Sequence, residues 1–257
     1  MSDQFVLETR GLVKEFKGFV AVDDVNLKVQ RGHIHALIGP NGAGKTTVFN
    51  LLTKFLPPTR GTILFNGKDI TSLKSAAIAR RGVVRSFQIS AVFPHMTALE
   101  NIRVALQSFE GNSFQFWKSG HSLNKLNERC MELLDSVGLT EFANTTTVEL
   151  AYGRKRALEL ATTLAMEPEL LLLDEPTQGM GGEDVERVVE LVRKAAEGRT
   201  VLMVEHNLGV VSKLCDRITV LAQGSVLTEG EYKEVSEDPR VREVYMGSAN
   251  TTQEAVE

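Results

Sequence analysis

Eight residues constrain this chain more than any others: Gly39, Pro40, Asn41, Gly42, Ala43, Gly44, Lys45 and Thr46. They fit Gly-x-x-x-x-Gly-Lys-Thr, a pattern that works only between a strand and a helix. Gly39, Gly42 and Gly44 have no Cβ, so the backbone there can take conformations closed to other residues and bring N–H groups up to phosphate oxygens. Lys45 supplies a point charge for β- and γ-phosphates, and the Thr46 hydroxyl suits Mg²⁺. The helix opened at Thr46 turns its positive end toward the same anion. The flanks agree, since His33 to Ile38 reads as a short apolar strand and Thr46 to Leu52 as a helix.

Composition narrows the field. With 257 residues and 42% hydrophobic content, the chain has ample material for a buried core. A formal net charge of −4 provides no overall basic field, which argues against nucleic acid as a partner. No apolar run approaches the ~18 to 20 residues that cross a bilayer. Asp3 and Glu8 stand where an export signal would need an apolar stretch, so export is not expected. Cys130 and Cys215 fall on or at the end of helix faces and are expected to be buried free thiols in a reducing compartment.

Before the glycine loop, Phe5 to Thr9 and Val25 to Val29 alternate as strands, each followed by a turn-prone glycine, Gly11 or Gly32. Phe16 and Phe19 lie between them and would either stack on a purine or cover a sheet edge. After the loop helix, Pro57 to Gly61 breaks the chain, and Thr62 to Phe65 runs into the hairpin turn Asn66-Gly67. Ile78 to Arg81 reads as a short helix and Val83 to Ser86 as a strand, with Gln88 close behind.

From residue 89 to 150 helical periodicity takes over. Thr97 and Glu100 make a capping box for a helix through Gln107, and Leu126, Cys130, Leu133, Leu134 and Val137 repeat at helical spacing. Phe114, Phe116 and Trp117, in a Gly-, Ser- and Asn-rich segment between them, would cap a small helical core or meet a partner. Tyr152 to Glu167 is a helix whose first turn carries Arg154, Lys155 and Arg156, the wrong sign for its dipole. Those cations would either face an anion or form a solvated basic face.

Leu170 to Leu173 is a fully apolar strand ending in Asp174-Glu175-Pro176, as expected of a central parallel strand whose carboxyl end meets ligand. Asp174 would hold Mg²⁺ directly or through water, and Glu175 would orient or deprotonate an attacking water. Glu183 to Glu197 is a helix, and Thr200 to Val204 is a second apolar strand that ends in Glu205-His206. His206 therefore occupies the same kind of strand end as Asp174. A helix at Leu208 to Leu214, strands at Ile218 to Leu221 and Val226 to Thr228, and short helices to Met246 complete the pattern. Residues 247–257 are expected to fray.

In their order along the chain these features resemble the nucleotide-binding subunit of an ATP-binding cassette (ABC) transporter, over nearly the whole length. The resemblance implies an α/β P-loop fold with a mixed central sheet, an antiparallel β-subdomain and an inserted helical subdomain. Residues 1–88 and 151–230 would form the ATPase core, 89–150 the helical subdomain and 231–246 the C-terminal helices. It assigns Gly39 to Thr47 to the nucleotide, Phe16 to the adenine, and Thr46, Gln88 and Asp174 to Mg²⁺. Lys45, Gln88, Glu175 and His206 would serve hydrolysis of ATP. Ala151, Tyr152, Gly153 and Arg154 stand at the signature segment, usually Leu-Ser-Gly-Gly-Gln, which meets the nucleotide of a second ATP-binding subunit. Ala151 lacks the usual hydroxyl, and Arg154 brings a cation that would compensate. Where many members carry an aspartate, this chain has Gly181.

Within the family, the Leu150-Ala151-Tyr152-Gly153 variant, the Glu175-to-Met180 loop, the Val204-to-Asn207 stretch and the ending from Asp238 to Gly247 look like branched-chain amino acid importers. Urea importers are similar, and a lipopolysaccharide-type exporter or a soluble single-cassette ATPase of cofactor assembly are the alternatives. The expected partners are an integral membrane permease, docked on Phe87, Ile89, Val92, Phe93 and Met96, and indirectly a substrate-binding protein. The chain would then sit on the cytoplasmic face of the membrane.

Overall fold

In the computed structural model, which describes residues 4–86, 92–109 and 120–245, two sheets meet around the glycine loop. The chain begins with β1 (Phe5–Phe16), β2 (Phe19–Val25) and β3 (Lys28–Gln30). β4 (Ile34–Ile38) then leads through the loop into α1 (Lys45–Leu52). β5 (Arg60–Phe65) and β6 (Lys68–Asp69) form a hairpin, and α2 (Ser75–Ala79) precedes β7 (Val83–Arg85). Helices α3 (Ala98–Phe109), α4 (Gly120–Ser136) and α5 (Tyr152–Leu164) follow. β8 (Leu170–Asp174), α6 (Gly182–Ala195), β9 (Thr200–Val204) and α7 (Leu208–Leu214) come next. β10 (Arg217–Ala222), β11 (Ser225–Gly230) and α8 (Tyr232–Glu237) follow, and residues 239–245 are again helical.

The central sheet has the order β11-β10-β4-β9-β8-β7, parallel throughout except for the β10–β11 pair. β4, β8 and β9 are buried at every residue, which is why they read as unbroken apolar runs. Leu171, Leu173 and Met203 pack on one face with α5 and α6. Leu170, Leu172 and Leu202 pack on the other with Phe49 and Leu52 of α1 and with the antiparallel sheet. Register sets the ends of these strands level, because Val204 lies opposite both Leu37 and Asp174. The glycine loop, Glu175 and His206 therefore leave the sheet side by side, although up to 167 positions separate them in sequence.

β1 pairs with β2, β3 and β5 in the second sheet. It runs straight through Gly11, where the sequence led us to expect a turn. That glycine, at φ +56°, takes up a register shift between Arg10 and Val13, so the chain bulges and continues. Lys17 and Gly18, both at positive φ, make the actual hairpin turn, with Phe16 opposite Phe19 at its mouth. The short helix expected at 78–81 lies at Ser75–Ala79 instead. It has no side-chain cap of its own; its first residue is anchored when the Ser75 hydroxyl donates to Thr53 O at 2.8 Å. The helix expected to reach Glu167 stops at Leu164, and Glu167 turns into positive φ ahead of Pro168.

The Thr97–Glu100 capping box is present: the Glu100 N–H donates to Thr97 Oγ1 at 3.2 Å, and the Thr97 N–H donates to Glu100 Oε2 at 2.8 Å. Beneath it, Ile102, Leu106, Leu133 and Leu134 join the same apolar cluster as Leu158 of α5. Val92 belongs to that cluster and is buried. It cannot offer docking surface as expected, whereas Phe93 and Met96 are exposed. Cys130 is buried and Cys215 partly so, both as free thiols. Phe87, Gln88, Ile89, the Phe114–Trp117 aromatics and the tail from 246 lie outside the described residues.

Candidate nucleotide site

β4 delivers the chain into a loop that only glycine fits at two points. A Cβ on Gly39 (φ +149°) would lie 2.2 Å from Leu221 O of β10, and one on Gly44 (φ +99°) would lie 2.6 Å from Ala21 O of β2. The loop is thus wedged between the two sheets. It is also tied down by the Ala43 N–H to Pro40 O at 3.2 Å and the Gly224 N–H to Ala43 O at 3.1 Å. Among the described residues, the N–H groups of Gly42, Gly44, Lys45, Thr46 and Thr47 have no acceptor. They cluster at the start of α1, which bears no acidic residue in its first turn and no side-chain cap. Amide donors at a helix start complement phosphate.

Lys45 is buried, and its ammonium donates to Gly39 O at 2.7 Å and Pro40 O at 2.9 Å. Burial pushes the amine below its ordinary range, and the Glu175 and Asp174 carboxylates draw it partway back up. Those two carboxylates therefore act on the same small volume as the loop. Thr46 is exposed and Thr47 half-buried; Asn41 is exposed and Ala43 buried. A hydroxyl and a carboxylate, Thr46 and Asp174, are the hard oxygen donors that Mg²⁺ takes beside phosphate, so the residues present suit a metal-bound triphosphate. Phe16 is exposed on the hairpin whose second strand touches the loop, with Lys14 Nζ 5.0 Å from its ring centroid.

At the end of β8 the Glu175 N–H still pairs with Val204 O at 2.9 Å, but its φ is +48°, a region that costs a non-glycine residue of order 1 kcal/mol. That turn presents Glu175 Oε1 to His206 Nε2 at 2.7 Å. His206 is itself held from behind. Glu205, 2% exposed, accepts the His206 N–H at 2.6 Å and the Asn207 N–H at 3.1 Å on Oε2. Its Oε1 accepts the Thr177 N–H at 3.2 Å and the Thr177 hydroxyl. Asn207 caps α7 through the N–H groups of Gly209 and Val210. Sequence reading passed over Glu205 and Thr177. The available signal was that Glu205 follows a strand lying beside β8, which puts a second carboxylate level with Glu175.

Asp174, also buried, accepts a hydrogen bond on Oδ2 from the guanidinium of Arg85 from β7. Arg85 was likewise missed, since nothing in the sequence pairs residues 89 positions apart.

The segment Ala151 to Arg154 opens α5 with no side-chain cap, and no hydrogen bond or ion pair among the described residues joins it to Gly39–Thr47. Each cation of its first turn has a contact within the chain, and Arg154 stays exposed. The Arg154 guanidinium lies 3.9 Å over the Phe142 ring, Lys155 Nζ donates to Val148 O at 3.1 Å, and Arg156 pairs with Glu159 at 2.8 Å. The Tyr152 hydroxyl reaches toward Gln178 O at 3.4 Å and accepts from Arg156 at 3.1 Å. A Cβ on Gly153 would press on Asp184 Oδ1 at 3.2 Å. A cavity of about 600 Å³ lies beside the segment, walled in part by Phe142, Arg154, Asp184 and Lys194.

A family described as ABC transporter matches residues 22–178. The chain is 40% identical over 251 residues to the high-affinity branched-chain amino acid transport ATP-binding protein BraF of Pseudomonas aeruginosa, covering 95% of this chain and 98% of that one. It is 35% identical to the lipopolysaccharide export system ATP-binding protein LptB of Acidithiobacillus ferridurans, covering 94% and 97%. In shape it is similar to the ADP conformation of MJ1267, an ATP-binding cassette of an ABC transporter, with a TM-score of 0.83, 29% identity and coverage of 95% and 99%. It is also similar to the dimeric post-hydrolysis state of the cassette MJ0796 bound to ADP and Pi, with a TM-score of 0.74, 25% identity and coverage of 88% and 98%.

Proposed function

The chain belongs to the ABC transporter family, and we propose that it hydrolyses ATP to power uptake of branched-chain or other amino acids through a separate membrane permease. The observation that carries the chemistry is the Glu175–His206 contact at the ends of two adjacent strands, beside the buried Lys45. Phosphoryl transfer to water asks little covalent work of a protein; positioning and charge stabilisation dominate. The amides of Gly42 to Thr47 and the Lys45 ammonium hold the phosphates, and Phe16 meets the adenine. Thr46, Gln88 and Asp174 would hold Mg²⁺, which would neutralise charge on the phosphate oxygens. Glu175 orients the attacking water and accepts its proton. His206 holds Glu175 Oε1 and, with Gln88, senses the γ-phosphate.

The site is half of a working one. Two copies, or this chain and a related one, pack so that Ala151 to Arg154 of one faces the phosphate loop of the other, with ATP between them. The dimeric form of the solved cassette supports this arrangement. Ala151 has no hydroxyl to donate, so the exposed first-turn N–H groups of α5 take the γ-phosphate. Phe93 and Met96 supply apolar surface for the permease. Attachment to the cytoplasmic face runs through that permease; among the described residues no helix is long and apolar enough to cross a membrane. A substrate-binding protein delivers the amino acid from the other side.

Reconstitution with its permeases and binding protein in liposomes tests this reading. ATP-dependent accumulation of radiolabelled leucine is expected. The similarity to LptB supports a second reading as an exporter subunit, and ATPase activity stimulated by lipopolysaccharide but indifferent to leucine-loaded binding protein would favour it over import.

A further inference from the structure

Arg85 ends β7, three positions before Gln88, and its side chain is only 12% exposed. Its guanidinium is divided between two elements. Nη2 donates to Oδ2 of Asp174, whose side chain is 2% exposed, and Nη1 donates to Oδ1 of Asn50 on α1 at 2.7 Å. The group lies 5.8 Å from the Phe49 ring, and among the described residues its Nε, also buried, has no acceptor. A guanidinium keeps its charge under all ordinary conditions. The helix it reaches is the one that begins at the phosphate loop.

We propose that Arg85 is a positioning residue for the metal carboxylate: it occupies one oxygen of Asp174 and so weakens the site's hold on the divalent cation bound with nucleotide. The inference rests on the reading of Asp174 as a metal ligand. A buried carboxylate with no partner is costly, so a metal site emptied in each cycle needs a resident counter-ion, and Arg85 is placed to be one. The same charge remains when metal arrives. Two cations then share one carboxylate, and in a buried setting their repulsion is poorly screened. The Asn50 and Phe49 contacts keep the guanidinium from swinging away.

Binding of Mn²⁺ with ADP, followed by electron paramagnetic resonance on the full chain, tests the proposal without measuring hydrolysis. Arg85→Met removes the charge and should tighten Mn²⁺ binding about tenfold, with Arg85→Lys close to the natural protein. Arg85→Gln serves in place of Met should circular dichroism show the Met variant unfolded, with the same tightening expected. Unchanged or weaker Mn²⁺ binding in the folded charge-free variant overturns the proposal. Asp174→Asn separates the two levels: it should weaken Mn²⁺ binding. A normal affinity there removes Asp174 as ligand and the inference with it, whereas weak binding there combined with no tightening at Arg85 sinks the inference alone.

Discussion

Glu175 gains its geometry from a backbone turn at φ +48° that swings its carboxylate toward His206 while its N–H stays in the sheet. The proposed action on water rests on this placement: Oε1 is held by His206, and the Lys45 ammonium is close enough to feel the carboxylate's charge. Glu175→Gln keeps the shape and removes the proton acceptor. Hydrolysis should fall about 10²-fold or more while ATP affinity stays within a few-fold. Comparable turnover in single-turnover assays would take the water-activating role away from this residue. The position was legible in sequence, because an acidic pair closes the apolar run of β8 beside a phosphate loop. The partners were not. Glu205 bridges Thr177 and His206, and Arg85 meets Asp174, through contacts that depend on which strands are neighbours.

Elements were legible where local physics dictates them. β8 and β9 are buried on both faces and therefore carry no polar alternation, and the Thr97–Glu100 box is written in residues three apart. Thr97→Ala removes the hydroxyl that accepts the Glu100 N–H and should cost about 1 kcal/mol in urea unfolding, with nucleotide binding unchanged. A loss below a few tenths would mean that packing of Ile102 and Leu106 alone fixes the helix start. β1 shows the opposite case. Its continuation past Gly11 depends on β5 supplying partners for a bulge, so a glycine that signals a turn in isolation becomes a kink inside a strand.

For the whole molecule, the strand that delivers the phosphate loop carries a buried histidine. His35 Nε2 lies 2.8 Å from Thr219 Oγ1, whose hydroxyl donates onward to Glu229 at 2.9 Å, so the ring donates from Nε2. Burial lowers its pKa to about 4, with Glu229 opposing. The unfolded chain protonates this ring near its ordinary value of about 6.5. Its contribution to stability is therefore complete above that pH and is lost as pH falls toward 4. By pH 5 the loss should be roughly 2 kcal/mol relative to pH 8. Urea unfolding at the two values should show that difference shrink in His35→Gln; an equal difference in both proteins would place the acid sensitivity elsewhere. The sequence by itself determined the phosphate loop, the buried strands and the acidic and histidine strand ends, because each is encoded in residues adjacent along the backbone. Tertiary structure alone decided that Arg154 covers Phe142, that Val92 is core, and that Arg85 and Glu205 stand behind the site. Strand order and register bring distant residues level, and a one-dimensional pattern carries the period of a strand but not its neighbour.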